Sequence, residues 1–460
     1  MTHVALPSGR LTSILQRTRS DSLIRNSLYI MASTVSTAGL GYIYWIIAVH
    51  IFAKQDVGVS SAVVSMCTTI SLLTYLGPLA MLVQQLPGNE RSGEWTKTLY
   101  RVCFGTAIAT CVVTAAVAPV ILISHNYRPF YSGPSSLLTA LVGAGATTLV
   151  NLLGAAFVAA RRASRLLVMQ TLVSATKLLL LFPLAHAGAV GLVDTWVISS
   201  CLGVAVGVCW LIPRMGLGRQ ASGRSHRRAD ASKADRQESR RRARHRRGRT
   251  LPNRTYVGQL IGQHLTSVGG MCTPLLLPVV VLTRLGPASN AEFYVTWMIG
   301  SIFFMVSPSV ATAVFAEGVR ARTELGKEVF KALRMTALLL TPAIIATIIC
   351  GRIILRIFGA SYSNAGYELL IVLAISAIPD SVSTIAVVIF RVTSRLGYSA
   401  ALNVGILVTA VGGSWVLLPW LGINGAGIAW GSAQLLGAIA SLPAYVRRRN
   451  PANFFTAKEG

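Results

Sequence analysis

Twelve segments of mainly apolar residues recur along this chain, each long enough to cross a bilayer, and no other feature limits its fold as much. Their approximate limits are 27–53, 59–84, 102–124, 134–160, 166–184, 191–212, 256–283, 291–316, 332–357, 367–390, 396–419 and 425–446. A helix of about 20 residues spans a hydrocarbon core of about 30 Å. In lipid only a helix or a closed barrel satisfies its own backbone. The expected fold is therefore all-α: a polytopic membrane protein with twelve transmembrane helices. Composition agrees, because 53% of the 460 residues are hydrophobic and 12% are charged, against about 25% charged in soluble domains. A disordered chain and a soluble enzyme are both excluded. The first segment exceeds a signal-peptide core and no small-residue cleavage pattern follows it, so it is expected to stay as the first span.

The chain carries 42 Lys+Arg against 15 Asp+Glu, a formal net charge of +27. In a soluble protein that excess would suggest nucleic-acid binding. Here the cations sort by connection. Thirty-six fall on the two tails and on alternate loops, five (Lys54, Arg128, Arg284, Arg352, Arg356) on the opposite set, and Lys177 within a span. The positive-inside rule then places both termini and the long central segment in the cytoplasm. No nucleic-acid partner is implied.

The central segment, 213–255, contains "RRADASKADRQESRRRARHRRGR" and has no apolar period. It reads either as a disordered linker that reinforces topology or as an attachment to anionic membrane lipids, each cation contributing about 1 kcal/mol near such a surface. The organisation is then a tail (1–26), a six-helix lobe (27–212), the basic linker (213–255), a second six-helix lobe (256–446) and a tail (447–460). The seven cysteines lie in apolar stretches without CxxC or Cys/His grouping, which suggests buried small side chains and no metal site.

The two halves align at an offset of 230. Gly77-Pro78 meets Ser307-Pro308, and "RRASRL" from Arg161 meets "RVTSRL" from Arg391. After a six-residue shift, "PLAHAGAVG" from Pro183 meets "PWLGINGAG" from Pro419. Six spans per half give both halves one orientation, so the repeat is parallel and its pseudo-twofold axis runs along the membrane normal. Two lobes that rock about a central site give alternating access.

Three places carry a resemblance to a known family. They are the opening spans, from "NSLYIMASTVSTAGLGYIYWIIAVHIFAKQDVGVSSAVVS" to "YLGPLAMLVQQLP"; the stretch "RIFGASYSNAGYELLIVLAISAIP"; and the glycine-rich "LGINGAGIAWG". Together with the 6+6 duplication, the chain outside 213–255 resembles the polysaccharide (Wzx-like) branch of the multidrug/oligosaccharidyl-lipid/polysaccharide (MOP) exporter superfamily. That resemblance implies flipping of undecaprenyl-diphosphate-linked oligosaccharide across a bacterial cell (inner) membrane for surface polysaccharide biosynthesis. It also implies glycan-assembly membrane proteins as a partner class. It gives the basic central segment no role.

Ionisable residues within spans are costly and mark function by default. Lys177 in span 5 lies about 9 Å and 18 Å from its two ends at 1.5 Å per residue. It either snorkels or pairs structurally, or it faces a cavity as the cation a diphosphate needs. Arg352 and Arg356, four apart on span 9, either reach outer headgroups or line an anionic exit. Asp380 follows Pro379 in span 10, and its options are ion coupling, a counter-charge for a cavity cation, or a structural hydrogen bond. His264 in span 7 offers a group that titrates near neutrality, or an interhelical hydrogen bond. Asn151 and Asn403 read as contacts between helices. Gly39, Gly41, Gly269 and Gly270 are expected to let the gating helices bend. Glu292, Glu368 and Asp194 sit at helix starts and receive no function.

No P-loop, GxSxG, HExxH, DxD or zinc spacing occurs, so neither an enzyme nor a cofactor is expected. Two readings compete with the flippase: a cation-coupled multidrug exporter of the same superfamily, and a transport-inactive scaffold for glycan assembly. The first span carries no acid and the spans hold more cations than mid-membrane acids, which favours an anionic substrate. A peptidoglycan-precursor flippase typically has fourteen spans.

Overall fold

The computed structural model describes residues 22–89, 95–131, 133–213, 253–321, 325–393 and 395–446. Residues 1–21 of the first tail, the whole of the second and most of the basic segment, together with the roles expected of them, lie outside the described residues; residues 22–26 already belong to the first helix. Among the described residues twelve helices are long and apolar enough to cross a membrane. In chain order they are α1 (Ser22–Ile51), α2 (Lys54–Asn89), α3 (Trp95–Ile123), α4 (Pro134–Ala159), α5 (Ala163–Leu180), α6 (Gly188–Ala205), α7 (Asn253–Leu285), α8 (Pro287–Ala321), α9 (Leu325–Arg356), α10 (Ala360–Val392), α11 (Leu396–Leu421) and α12 (Asn424–Val446). A π-helical turn, Val206–Leu211, prolongs α6.

Three helices, α3, α9 and α10, begin seven residues before the expected limit, and α10 begins at Ala360 instead of 367. Gly359 holds φ at 126° and Ser363 N–H bonds back to the Gly359 carbonyl, so the "FGASYSN" stretch is already the first helical turn.

Helices α1 to α6 form one lobe and α7 to α12 the other. The small residues that bring the helices together explain this packing. Gly203 sits against Val173 and Val150, tying α6 to α5 and α4. In the second lobe Gly262 and Gly269 lie against Leu396 and Asn403 of α11, and Gly427 and Gly431 of α12 lie against Leu369 and Ser376 of α10. Without a hydrophobic drive between helices in lipid, such close approach is the main source of their attraction. Gly269 therefore contributes as a contact residue and not as the free swivel the sequence suggested. Asn151 donates to Ser71 at 3.2 Å and Asn403 to the Thr266 carbonyl at 2.7 Å, both between helices as expected.

The duplication is visible in the turns. Gly188 at the start of α6 and Gly422 before α12 both hold φ at 56°, with ψ of −136° and −148°. A Cβ would be strained there. The two turns are thus built alike, in a register two residues from the one the sequence alignment suggested.

One correction concerns the cysteines. Cys67 and Cys272 are buried, but Cys111, Cys201, Cys209 and Cys350 are exposed on the protein surface within or beside their helices. A bilayer provides the apolar surroundings that a core was expected to provide.

Candidate functional site

Among the described residues the lobes are joined at one end. That end carries the α1–α2 and α7–α8 connections; the first residue of α1 and the last of α12 lie at the opposite one. The hydrogen bonds, ring contacts and apolar clusters that join the lobes, among the described residues, all lie in the half nearer the α1–α2 connection. Asn290 of α8 donates to the Gly58 carbonyl of α2 at 2.7 Å, and a Cβ on Gly58 would strike the Pro287 carbonyl. Lys54 of α2 pairs with Glu292 of α8. Asn126 between α3 and α4 donates to the Leu282 carbonyl at 2.9 Å. Tyr44, Trp45, Val57 and Leu192 form one apolar cluster with Val295, Leu355, Phe358 and Tyr362. The deepest link is the Tyr42 hydroxyl, which donates to the Met298 carbonyl at 2.9 Å.

Beyond that link α1 leaves the second lobe. It packs on α5, with Ser36 and Thr171 hydroxyls 3.3 Å apart. From Arg25 to Gly39 most of its residues are exposed. Neither Gly39 nor Gly41 has a neighbour within 4 Å of a Cβ position. Among the described residues, no such contact joins the lobes in the other half.

Lys177 lies beneath the closed end. Its Nζ is 3.4 Å from the centre of the Trp196 ring and 6.0 Å from that of Tyr44. Three helices create this setting: α5 brings the lysine, α6 the indole and α1 the phenol. The Tyr44 hydroxyl is fixed by Thr195 Oγ1 at 2.8 Å. Tyr44 meets Trp45 edge-on at 5.3 Å, and Trp45 meets Tyr294 of the other lobe at 4.7 Å. A cation on the face of a tryptophan is stabilised by the ring quadrupole. No carboxylate of the described residues pairs with this ammonium, so its charge is held by rings alone. The snorkelling alternative does not describe this geometry, because the side chain lies on rings within the protein. Sequence reading missed Trp196 and Tyr44. An aromatic residue on α6 gives no sign of its partner until α5 and α6 are packed.

The other candidates stay apart; no hydrogen bond or ion pair joins any two of the five. Arg352 and Arg356 are exposed at the α9 end, and the Arg352 guanidinium stands 4.5 Å from the Tyr367 ring. Asp380 is buried in α10, and its Oδ2 has no hydrogen-bond partner. His264 of α7 lies off the Gly262–Thr266–Gly269 face that meets α11, and its Nδ1 is buried without a partner. No group of three or more His, Cys, Asp or Glu among the described residues is placed to hold a metal ion.

No protein-family model matches the sequence, and no curated protein sequence matches it. Solved structures do. A multidrug resistance MATE family transporter of the MOP superfamily, in an inward-facing conformation, superposes with a TM-score of 0.57 at 16% identity, over 92% of this chain and 94% of that one. The lipid II flippase MurJ, in an inward closed conformation, gives 0.64 at 11% identity, over 91% and 87%. A MATE structure in the straight conformation gives 0.53 at 14% identity, over 93% and 95%. At these identities the likeness speaks for architecture alone: the chain has the fold of membrane transporters of the MOP superfamily.

Proposed function

We propose that the chain is an alternating-access transporter that flips an oligosaccharide carried on undecaprenyl diphosphate from the inner to the outer leaflet. Its place is the bacterial cell membrane, with both termini in the cytoplasm and the product feeding surface polysaccharide. The observation that carries this reading is Lys177, a cation held by Trp196 and Tyr44 beneath the closed end, with no carboxylate of the described residues beside it. Such a group suits a phosphate as a point charge. One structural neighbour is by name a lipid II flippase, so the fold is compatible with a lipid-linked substrate.

The geometry supports a sequence of events. A diphosphate enters from the end nearer the termini and meets Lys177. The Tyr42–Met298, Trp45–Tyr294, Asn290–Gly58 and Lys54–Glu292 contacts then separate, and the lobes meet at the other end. Arg352 and Arg356, exposed near the opening face, are placed for an anionic substrate on its way out. Asp380 and His264 supply the ionisable groups for coupling or counter-charge. The 213–255 segment holds the cytoplasmic face to anionic lipids.

The test is deletion of the gene in its host, with carrier-linked sugars profiled by mass spectrometry beside surface glycan. Accumulation of a carrier-linked repeat unit with loss of surface polymer supports the reading and names the sugar. An unchanged carrier-linked pool with new drug sensitivity would replace it by a multidrug exporter.

A further inference from the structure

The turn of α1 from Tyr42 to Trp45 touches both lobes. Towards the second lobe, the Tyr42 hydroxyl donates to the Met298 carbonyl, and the Trp45 ring lies 4.7 Å from that of Tyr294. Both partners are on α8, one helical turn apart. Towards the first lobe, the Tyr44 hydroxyl lies 2.8 Å from Thr195 Oγ1, and the phenol meets the Trp196 indole edge-on at 6.1 Å. Lys177 completes that side, its Nζ 3.4 Å from the centre of the Trp196 ring.

These contacts form one unbroken series: Lys177 on Trp196, Trp196 on Tyr44, Tyr44 on Trp45, and Trp45 on Tyr294. Every ring pair is within the range in which aromatic side chains attract. Tyr44 and Trp45 are 1% and 3% exposed, and they share a cluster with Val295, Ile299 and Leu355 of the second lobe. Packing this close leaves no slack. Such a cluster changes between discrete arrangements and does not deform continuously. A shift on the Lys177 side of Tyr44 is therefore felt on the Tyr294 side of Trp45.

Charge decides what can cause that shift. Lys54, the other lysine near the closed end, has a carboxylate and a hydroxyl as partners. Lys177 has the two rings, and no carboxylate of the described residues pairs with it. A ring quadrupole attracts an ammonium through its face, whereas a phosphate does so with full charge through a charge-assisted hydrogen bond. An anion that reaches Nζ thus competes with the Trp196 face for the same cation. A neutral sugar or a lipid tail has nothing with which to compete.

We propose that Tyr44 is a positioning residue that ties the charge of the cargo to the opening of the closed end. Capture of an anion by Lys177 loosens the ring series and parts Trp45 from Tyr294. Without an anion, the rings hold the ammonium and the lobes stay joined. Specificity then resides in the opening step, because cargo without a negative charge at Lys177 leaves the end shut. The link is reciprocal: an anion that favours the open form by some factor is bound more tightly by that form by the same factor. The proposal rests on the reading of Lys177 as the phosphate-binding cation, and it adds how binding reaches the far side of α1.

The experiment uses the purified full chain in detergent, with spin labels at Ala53 and Ser289 reporting the closed end. Inorganic pyrophosphate is the probe, and calorimetry follows its binding. Pyrophosphate is expected to raise the long-distance population saturably, and chloride at equal ionic strength is not. Without any ligand, Lys177→Gln raises the ratio of long to short distances by about tenfold, the order of one cation–ring contact. Lys177→Arg restores the parent distribution. Tyr44→Leu separates the readouts: pyrophosphate still binds, and the distances no longer follow it. Tyr44→Phe drops only the hydroxyl and keeps the response, which excludes a general loss of packing. If calorimetry shows no pyrophosphate binding, the phosphate reading of Lys177 falls, and the ligand-free Lys177 variants still decide the link. An unaltered distribution in Lys177→Gln overturns the proposal, as does a pyrophosphate response that survives Tyr44→Leu.

Discussion

The ammonium of Lys54, at the first residue of α2, pairs with the Glu292 carboxylate on α8 and thereby ties one lobe to the other at the closed end. Ser361 of α10 shares the contact: Lys54 Nζ donates to its hydroxyl, and that hydroxyl donates to Glu292 at 3.2 Å. The side chains are 32% and 16% exposed. A partly exposed pair contributes at most about 1 kcal/mol.

Neutralising it by Glu292→Gln is expected to shift the closed–open balance by up to about fivefold, the equivalent of that energy. Spin labels at Ala53 and Ser289 report the change as a larger long-distance population. The exchanged pair Lys54→Glu with Glu292→Lys restores the parent distribution. An unaltered distribution in Glu292→Gln would show that the ion pair does not hold the end shut.

Gly58 makes the tighter contact. A Cβ there meets the Pro287 carbonyl, which is backbone and cannot rotate away. Gly58→Ala is therefore expected to part the lobes further than loss of the ion pair does, with the same labels reporting. A conformation as closed as the parent's would mean that α2 and α8 slide past each other at little cost.

Lys177 and Trp196 are expected to fail differently. Lys177→Ala removes the cation and lowers glycan export by at least about tenfold, the loss of roughly 1.4 kcal/mol of phosphate attraction. Lys177→Arg keeps the charge and the ring contact and retains measurable export. Trp196→Phe preserves a ring and costs less than Trp196→Ala. Export is read as surface polymer, with membrane abundance as the control. Full export by Lys177→Ala would remove this residue from the transport path.

Two glycines that match in the repeat predict opposite outcomes. At Gly269 a Cβ would stand 2.8 Å from the Asn403 carbonyl carbon; at Gly39 it meets nothing within 4 Å. Gly269→Ala is expected to destabilise by about 1–3 kcal/mol through overpacking. Gly39→Ala should leave stability equal or raise it by about 0.5–1 kcal/mol. Thermal unfolding in detergent checks both. Equal effects would contradict the packing difference between α1 and α7.

The twelve spans were legible because apolar runs of that length have few alternatives in lipid. The helix ends were less so. "FGASYSN" holds a glycine and small polar residues, which resemble a loop until the positive φ of Gly359 is seen to start a helix. Lys177 and Asp380 stood out as charges inside spans. The surroundings of Lys177 did not, since Tyr44 and Trp196 are ordinary span residues in sequence. Only packing shows that their rings hold a cation. Glu292 passed as a helix-start acid, because nothing in its neighbourhood along the chain points to Lys54, 238 positions away.

The contact between α7 and α11 has a mechanical consequence. Gly262 and Gly269 bring those helices into van der Waals contact, and Asn403 fastens them through the Thr266 carbonyl. Helix α7 cannot flex there without dragging α11, so the second lobe resists deformation as a block. In α1, the counterpart of α7, Gly39 and Gly41 face open space. Compliance is therefore unevenly shared between two halves of common design: one acts as the anvil, and the first helix of the other is the spring.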